Sequence, residues 1–148
     1  MNLRTIHTHH RDRDLAILMG FEAATLAIMS ALHFAGVLGG SEPFQPRPAG
    51  IAEATIGIAL AYGAAMLLRR SPNRRPVALA ANGFAIVGFV VGLSFTARGG
   101  GAIDLAYHAT VLPLLLLTFG LLLRQTPWSR EGGRGGGTGA AVGGGGTN

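Results

Sequence analysis

The sequence predicts an all-α membrane protein, an antiparallel bundle of four transmembrane helices with cytoplasmic N- and C-termini. Three observations predict it. Four apolar segments, at 15–38, 51–68, 77–97 and 103–123, each approach the roughly 20 residues that a helix needs to cross the hydrocarbon. Charged residues are only 13% of the chain, about half the share usual in soluble domains, and no segment carries the polar face of a soluble bundle helix. The arginines fall almost entirely on one side of a four-span layout.

Composition narrows the function classes. The net charge is +5 and every basic residue is Arg. These residues bracket the apolar segments and form no stripe, which excludes nucleic acid as a partner. The absence of Cys excludes disulfides, thiolate metal sites and cysteine nucleophiles. The first apolar segment is longer than the core of a secretory signal and is followed by three more, so it reads as an uncleaved helix.

Taken in order, residues 1–14 form a cytoplasmic tail with Arg4, Arg11 and Arg13. His7, His9 and His10 in it read as solvated, with a metal-binding tail as the alternative. Helix one at 15–38 is followed by an irregular external link whose Pro43, Pro46 and Pro48 break regular structure. Helix two at 51–68 ends in a tight turn, Ser71-Pro72-Asn73, flanked by Arg69, Arg70, Arg74 and Arg75. Pro76 suits the first turn of helix three, at 77–97. Gly99–Gly101 makes the second external turn. Helix four, at 103–123, contains Pro113, which predicts a kink over 109–113. Residues 124–148 are a basic flank and a disordered Gly-rich tail from Glu131, with Trp128 as a headgroup anchor. The transmembrane domain is thus 15–123. Ten arginines share one side and only Arg47 and Arg98 the other. The positive-inside rule then places both termini in the cytoplasm of a bacterial-type inner membrane.

The candidate functional residues are those costly to bury in lipid: Glu22, His33, Glu53, Asn82, Asp104 and His108. His33 lies five residues inside the external end of helix one, and His108 five residues inside that of helix four. Both therefore sit roughly 7 to 8 Å below that boundary. Asp104 and His108 are four apart and share a helix face. Glu53 and Asp104 are shallower on the same side, so the four can line an outward-facing vestibule. Glu22 and Asn82 lie in the cytoplasmic halves of their helices. Glu22 and His33 are eleven apart, which returns almost to one face of helix one. Such a face suits a proton route or a structural polar seam. Two histidines at equal depth also suit a haem iron, with His33 and His108 as axial ligands, and Glu53 and Asp104 would complete a harder site for zinc or iron.

Small residues at four-residue spacing, Ala23-Ala27-Ala31-Ala35, Ala61-Ala65 and Gly88-Gly92, read as close helix contacts. Tyr62 and Tyr107 read as hydrogen-bond donors within the bundle or at the interface, and Met19, Met29 and Met66 as gap-fillers. No nucleotide loop, zinc-protease signature or nucleophile elbow is present. A carboxylate in the first of four spans, Glu22, resembles the small multidrug-resistance exporters, although the aromatic residues expected around it are absent. Four spans with a polar outer vestibule are similar in architecture to DoxX-type small membrane proteins. Neither is a motif match, and no family is assigned.

The function expected is an accessory or scaffold subunit with no catalytic residues and no resident cofactor or metal. Its partners are the lipid bilayer and either a second copy of the chain or another membrane subunit. One alternative is a proton-linked small-molecule transporter or channel using Glu22, His33 and His108. The other is a haem- or metal-binding membrane oxidoreductase subunit. Whether the chain is itself an enzyme is left open by the sequence.

Overall fold

The computed structural model describes residues 3–69 and 72–124, with side chains from residue 11 onward. The tail from Glu131, the anchor Trp128, Arg70, Ser71, Arg130, Arg134 and the side chains of Arg4, His7, His9 and His10 lie outside the described residues. Four helices account for nearly all the rest: α1 (Leu3–Phe34), α2 (Pro46–Leu68), α3 (Arg74–Gly99) and α4 (Ala102–Arg124). Each is long and apolar enough to cross a membrane, α1 over Arg11–Phe34. α1 packs on α2, α2 on α3, α3 on α4, and α4 closes back onto α1.

Helix ends depart from the apolar segments for local reasons. α1 stops at Phe34, although the apolar run continues to Leu38. Gly36 adopts φ 69°, its N–H donates to His33 O and the Val37 N–H donates to Leu32 O. This is the Schellman closure, which needs a left-handed residue at that position. α2 begins at Pro46, five residues ahead of its apolar run. Pro46 and Pro48 fall in the first turn, where the missing N–H groups would have no helical acceptor anyway. The link between α1 and α2 is packed as well as irregular. Leu38 and Phe44 are buried, and the Ser41 N–H donates to Gly99 O at 2.8 Å. α4 runs unbroken through Pro113, which lies on its exposed side.

The buried residues follow one rule in all four helices. In α1 they include Leu15, Met19, Glu22, Leu26, Met29 and His33. In α2 they include Gly50, Glu53, Gly57, Leu60, Ala64 and Leu67. In α3 they include Ala78, Asn82, Ala85 and Phe89, then Thr96. In α4 they are Asp104, His108, Val111, Leu115, Thr118 and Leu122. Steps of three and four alternate, an average of 3.5, the repeat that keeps one seam facing a neighbouring helix. All six candidate polar residues lie on this seam, while Ile17, Phe21, Ile58, Val87 and Leu116 face outward.

Small residues make close contacts at Gly63 and at the predicted pair Gly88 and Gly92. A Cβ at Gly63 would lie 2.7 Å from Met19 Cε and 3.0 Å from Ala81 Cβ, so the missing side chain lets α2 sit close to both neighbours, most tightly against Ala81. Gly88 and Gly92 make room for Ile56 and His108 of the same chain. In the alanine series Ala23 is buried, whereas Ala27, Ala31 and Ala35 are exposed, as is Ala61. Tyr62 faces outward, and Met19 and Met29 fill the core. At the arginine-rich end, buried Asp12 accepts from Arg74 Nε at 3.1 Å and Arg75 Nη2 at 3.2 Å, tying α1 to the start of α3.

Gly63→Leu overpacks the α1–α2–α3 contact, a change that costs about 1–3 kcal/mol. Thermal unfolding in detergent, followed by circular dichroism, should show a lower midpoint. Gly20→Leu, at a position where a Cβ meets nothing within 4 Å, should leave the midpoint near wild type.

Candidate functional site

Three helices each supply one ionisable side chain to a buried cluster. His33 is in the last turn of α1, Glu53 in the second turn of α2, and Asp104 in the first turn of α4. His33 Nδ1 lies 2.7 Å from Glu53 Oε2. His33 Nε2 lies 3.2 Å from Asp104 Oδ1 and 3.3 Å from Oδ2, the latter in hydrogen-bonding geometry. The ligand-type atoms of the three all lie within 4.8 Å of one another. Phe44 covers the group, its ring centroid 5.8 Å from that of His33.

Proton counting constrains this cluster. Two hydrogen bonds link three groups, so two protons must lie between them. A neutral imidazole supplies one. The other makes His33 an imidazolium or one carboxylate an acid, and in either case the formal charge is −1. Glu53 Oε1 and Asp104 Oδ1 are buried without a hydrogen-bond partner. A buried net charge and orphaned oxygens are both costly unless a further proton or a cation is taken up.

His108 sits one turn below Asp104 and is also buried. Its Nδ1 lies 2.9 Å from the Asp104 carbonyl. A carbonyl only accepts, so Nδ1 carries the proton and, in the neutral ring, Nε2 is left as an acceptor. Nε2 is the atom nearest the space a Gly92 Cβ would occupy, at 2.9 Å. His33, Glu53 and His108 all line a cavity of about 660 Å³ between α2 and α3.

Glu22 and Asn82 form no part of this group. Glu22 is fully buried, Thr118 donates to its Oε1 at 2.7 Å, and its Oε2 has no partner. Asn82 is fully buried with neither amide atom bonded. Glu22 and His33 do share the seam of α1, but roughly 16 Å of helix separates them. Leu26, Leu60 and Leu115, each fully buried, lie on the seam between the two levels. Thr25 links the backbone between the levels, donating to Glu22 O at 2.8 Å and lying 3.1 Å from the Tyr107 hydroxyl.

Several site residues carried little sequence signal. Thr118 looks like Thr110, which is exposed and donates to its own helix at Ala106 O. Phe44 lies in a proline-rich link. Ser30, which donates to Gly50 O at 2.8 Å, joins α1 to α2 beside His33. The 3.5-residue spacing of polar residues in α4 was the available signal for Thr118, since it continues the series of Asp104 and His108. Comparison with known proteins finds no matching family model, no matching curated protein and no matching solved structure.

His33→Leu removes both hydrogen bonds and leaves two carboxyl groups facing a methyl-rich side chain. Breaking a buried pair from one side costs about 3–5 kcal/mol, so a large fall in detergent stability is expected. Glu53→Gln keeps a hydrogen-bonding partner for Nδ1 and should lose much less. Equal losses would show that the carboxylate charge, and not the missing ring, dominates.

Proposed function

We propose that the protein is a metal-binding membrane subunit that holds a divalent cation of the zinc or iron class at His33, Glu53 and Asp104. The observation that carries this reading is the convergence of one imidazole and two carboxylates, all buried, with one oxygen of each carboxylate accepting no hydrogen bond. One nitrogen and two oxygens form a hard to borderline donor set. Two carboxylates and a neutral imidazole carry −2, which a divalent cation neutralises. The looser contact, His33 Nε2 to Asp104, is the natural place for it. Nδ1–H would stay on Glu53, as metal-binding histidines commonly keep a second-nitrogen partner. This chemistry favours a binding role over that of a mere accessory or scaffold. It does not favour haem, because both nitrogens of His33 already face carboxylates.

Proton-linked transport through Glu22, His33 and His108 is the second reading. It draws support from the unpartnered oxygen of Glu22, and it is weakened by the leucines between the two levels.

The proposal extends to layout. Sequential helices run antiparallel, the arginine-rich end with both termini is cytoplasmic, and the membrane is a bacterial-type inner membrane. Contacts of His33 near the end of α1 with Glu53 near the start of α2 support the antiparallel order. The arginine bias supports the orientation.

Chelator-treated protein in detergent, titrated with Zn²⁺ and Fe²⁺ and assayed by elemental analysis, should take up about one ion per chain. His33→Ala and Asp104→Asn should abolish or weaken uptake while helicity is retained. Affinity should fall as pH falls, because the ligands must give up protons to bind the ion. Absence of stoichiometric uptake for either ion would overturn the metal reading. Single cysteines at Asn2→Cys and Thr147→Cys, in a chain otherwise free of Cys, should resist impermeant thiol reagents in intact cells. Labelling of either would overturn the orientation.

A further inference from the structure

We infer that the cavity between α2 and α3 binds a lipid-soluble phenol, of the class that includes hydroquinones, whose hydroxyl donates to His108 Nε2. The argument starts from access. Ala52, Thr55, Phe84, Val87, Val91 and Phe95 line the cavity and are exposed on the flank of the bundle. They lie within the membrane-length parts of α2 and α3. The cavity thus opens sideways at hydrocarbon depth, and a solute reaches it from the bilayer. The walls select an apolar body. Ile56, Phe89, Gly88 and the exposed Phe84 and Phe95 form them, and aromatic side chains favour a flat ring through offset or edge contacts.

The inner end selects the head group. His108 is 8% exposed, and among the described residues its Nε2 has no hydrogen-bond partner. Its Nδ1–H is committed to the Asp104 carbonyl, so Nε2 accepts. Glu53 also lines the cavity, and its Oε1, buried and without a partner, is a second acceptor in the ionised form. Both nitrogens of His33 are engaged, and Thr55 already donates to Ile51 O. Gln45 and Thr96, the remaining polar side chains on the wall, take either role. A site that presents acceptors wants a donor. A quinone or an ether offers none, and a fatty acid brings a second carboxylate to Glu53. A phenolic hydroxyl on an apolar ring meets both demands. The absent side chain at Gly92 leaves the space in front of Nε2. The residue that carries this inference, His108, is not among the three proposed metal ligands; Glu53 is shared by both sites, so the protein tested is free of metal.

The test uses the full chain in nanodiscs after chelator treatment, with 2-naphthol and its methyl ether, 2-methoxynaphthalene, as fluorescent probes. Empty nanodiscs correct for partition into lipid. Naphthol should bind about tenfold or more tightly than the ether, because a site shaped for a hydroxyl rejects the analogue lacking one. The preference should vanish in His108→Leu, and Val87→Trp, at the mouth, should weaken both probes. Should His108→Leu fail to fold, Gly92→Ala serves instead, since its methyl would sit against Nε2. Equal binding of the two probes by wild type would overturn the inference and leave a groove for lipid chains. A preference that survives the loss of His108, or binding indifferent to Val87→Trp, would overturn it too. Metal uptake by the His108→Leu protein reads the metal proposal separately.

Discussion

A bilayer core holds no water to satisfy an ionisable or amide side chain, and such a group, unlike a hydroxyl that can bond to its own helix, must turn toward another helix. That constraint organises this molecule. The buried residues of each helix repeat at three and four, and Glu22, His33, Glu53, Asn82, Asp104 and His108 all occupy that seam. His33 is where the constraint binds hardest. Its ring is shared by α1, α2 and α4, because each nitrogen faces a carboxylate from a different helix. Turning any one of those helices by a residue would carry an ionisable group out of the cluster and toward lipid. The cluster therefore specifies helix rotation and register, which the interchangeable apolar residues around it do only weakly.

The polar residues fall on two levels with different chemistry. At one level His33, Glu53 and Asp104 share protons, and His108 adds an acceptor aimed at open space. At the other, Glu22 has a hydroxyl partner and Asn82 has none among the described residues. Three leucines close the seam between them. The backbone link through Thr25 and Tyr107 passes beside this plug, and it ends on the Glu22 carbonyl, not on its carboxylate. A side chain that ends at a carbonyl transmits position and not protons. The two levels thus differ in kind, an ionisable cluster beside a cavity and a buried layer in which Thr118 donates to Glu22.

Much of this was legible in the sequence, for physical reasons that differ by residue. Segment length and the scarcity of charge identified four helices. The costly residues were visible because lipid has no tolerance for them, and the eleven-residue interval correctly put Glu22 and His33 on one side of α1. Depth matching placed His33 and His108 on the same cavity. It did not foresee that His33 would spend both nitrogens on carboxylates, since that depends on how three helices are rotated. Helix ends were misjudged where local geometry overrides hydropathy. Gly36 ended α1 before the apolar run did, and Pro46 and Pro48 began α2 inside a stretch that read as a link. The alanine series marks the groove where α1 meets α2, with Ala23, Ala27 and Ala31 beside Gly57 and Ala61, although most of its members are exposed rather than buried in the core. Four-residue spacing alone did not separate Gly88, which makes room for Ile56 in the core, from Ala61, which is exposed in the α1–α2 groove.

Those misjudged ends belong to one arrangement. The early stop of α1 frees the chain to fold back so that Leu38 and Phe44 become buried. The early start of α2 shortens the link that must make this return. The Ser41 N–H then bonds to Gly99 O, joining the α1–α2 link to the α3–α4 turn. Phe44 is held over the His33 ring as a result. At the opposite end the Asp12 carboxylate gathers Arg74 and Arg75. One end of the bundle is thus sealed over the ionisable cluster by backbone contacts. The cavity beside that cluster opens on its flank, between α2 and α3, with the exposed Pro43, Gln45 and Pro48 at its link end. On the proposed reading, a ligand that enters by the flank passes Phe84 and Phe95 before it meets His108, which makes lipid solubility the first criterion of selection and hydrogen-bond donation the second.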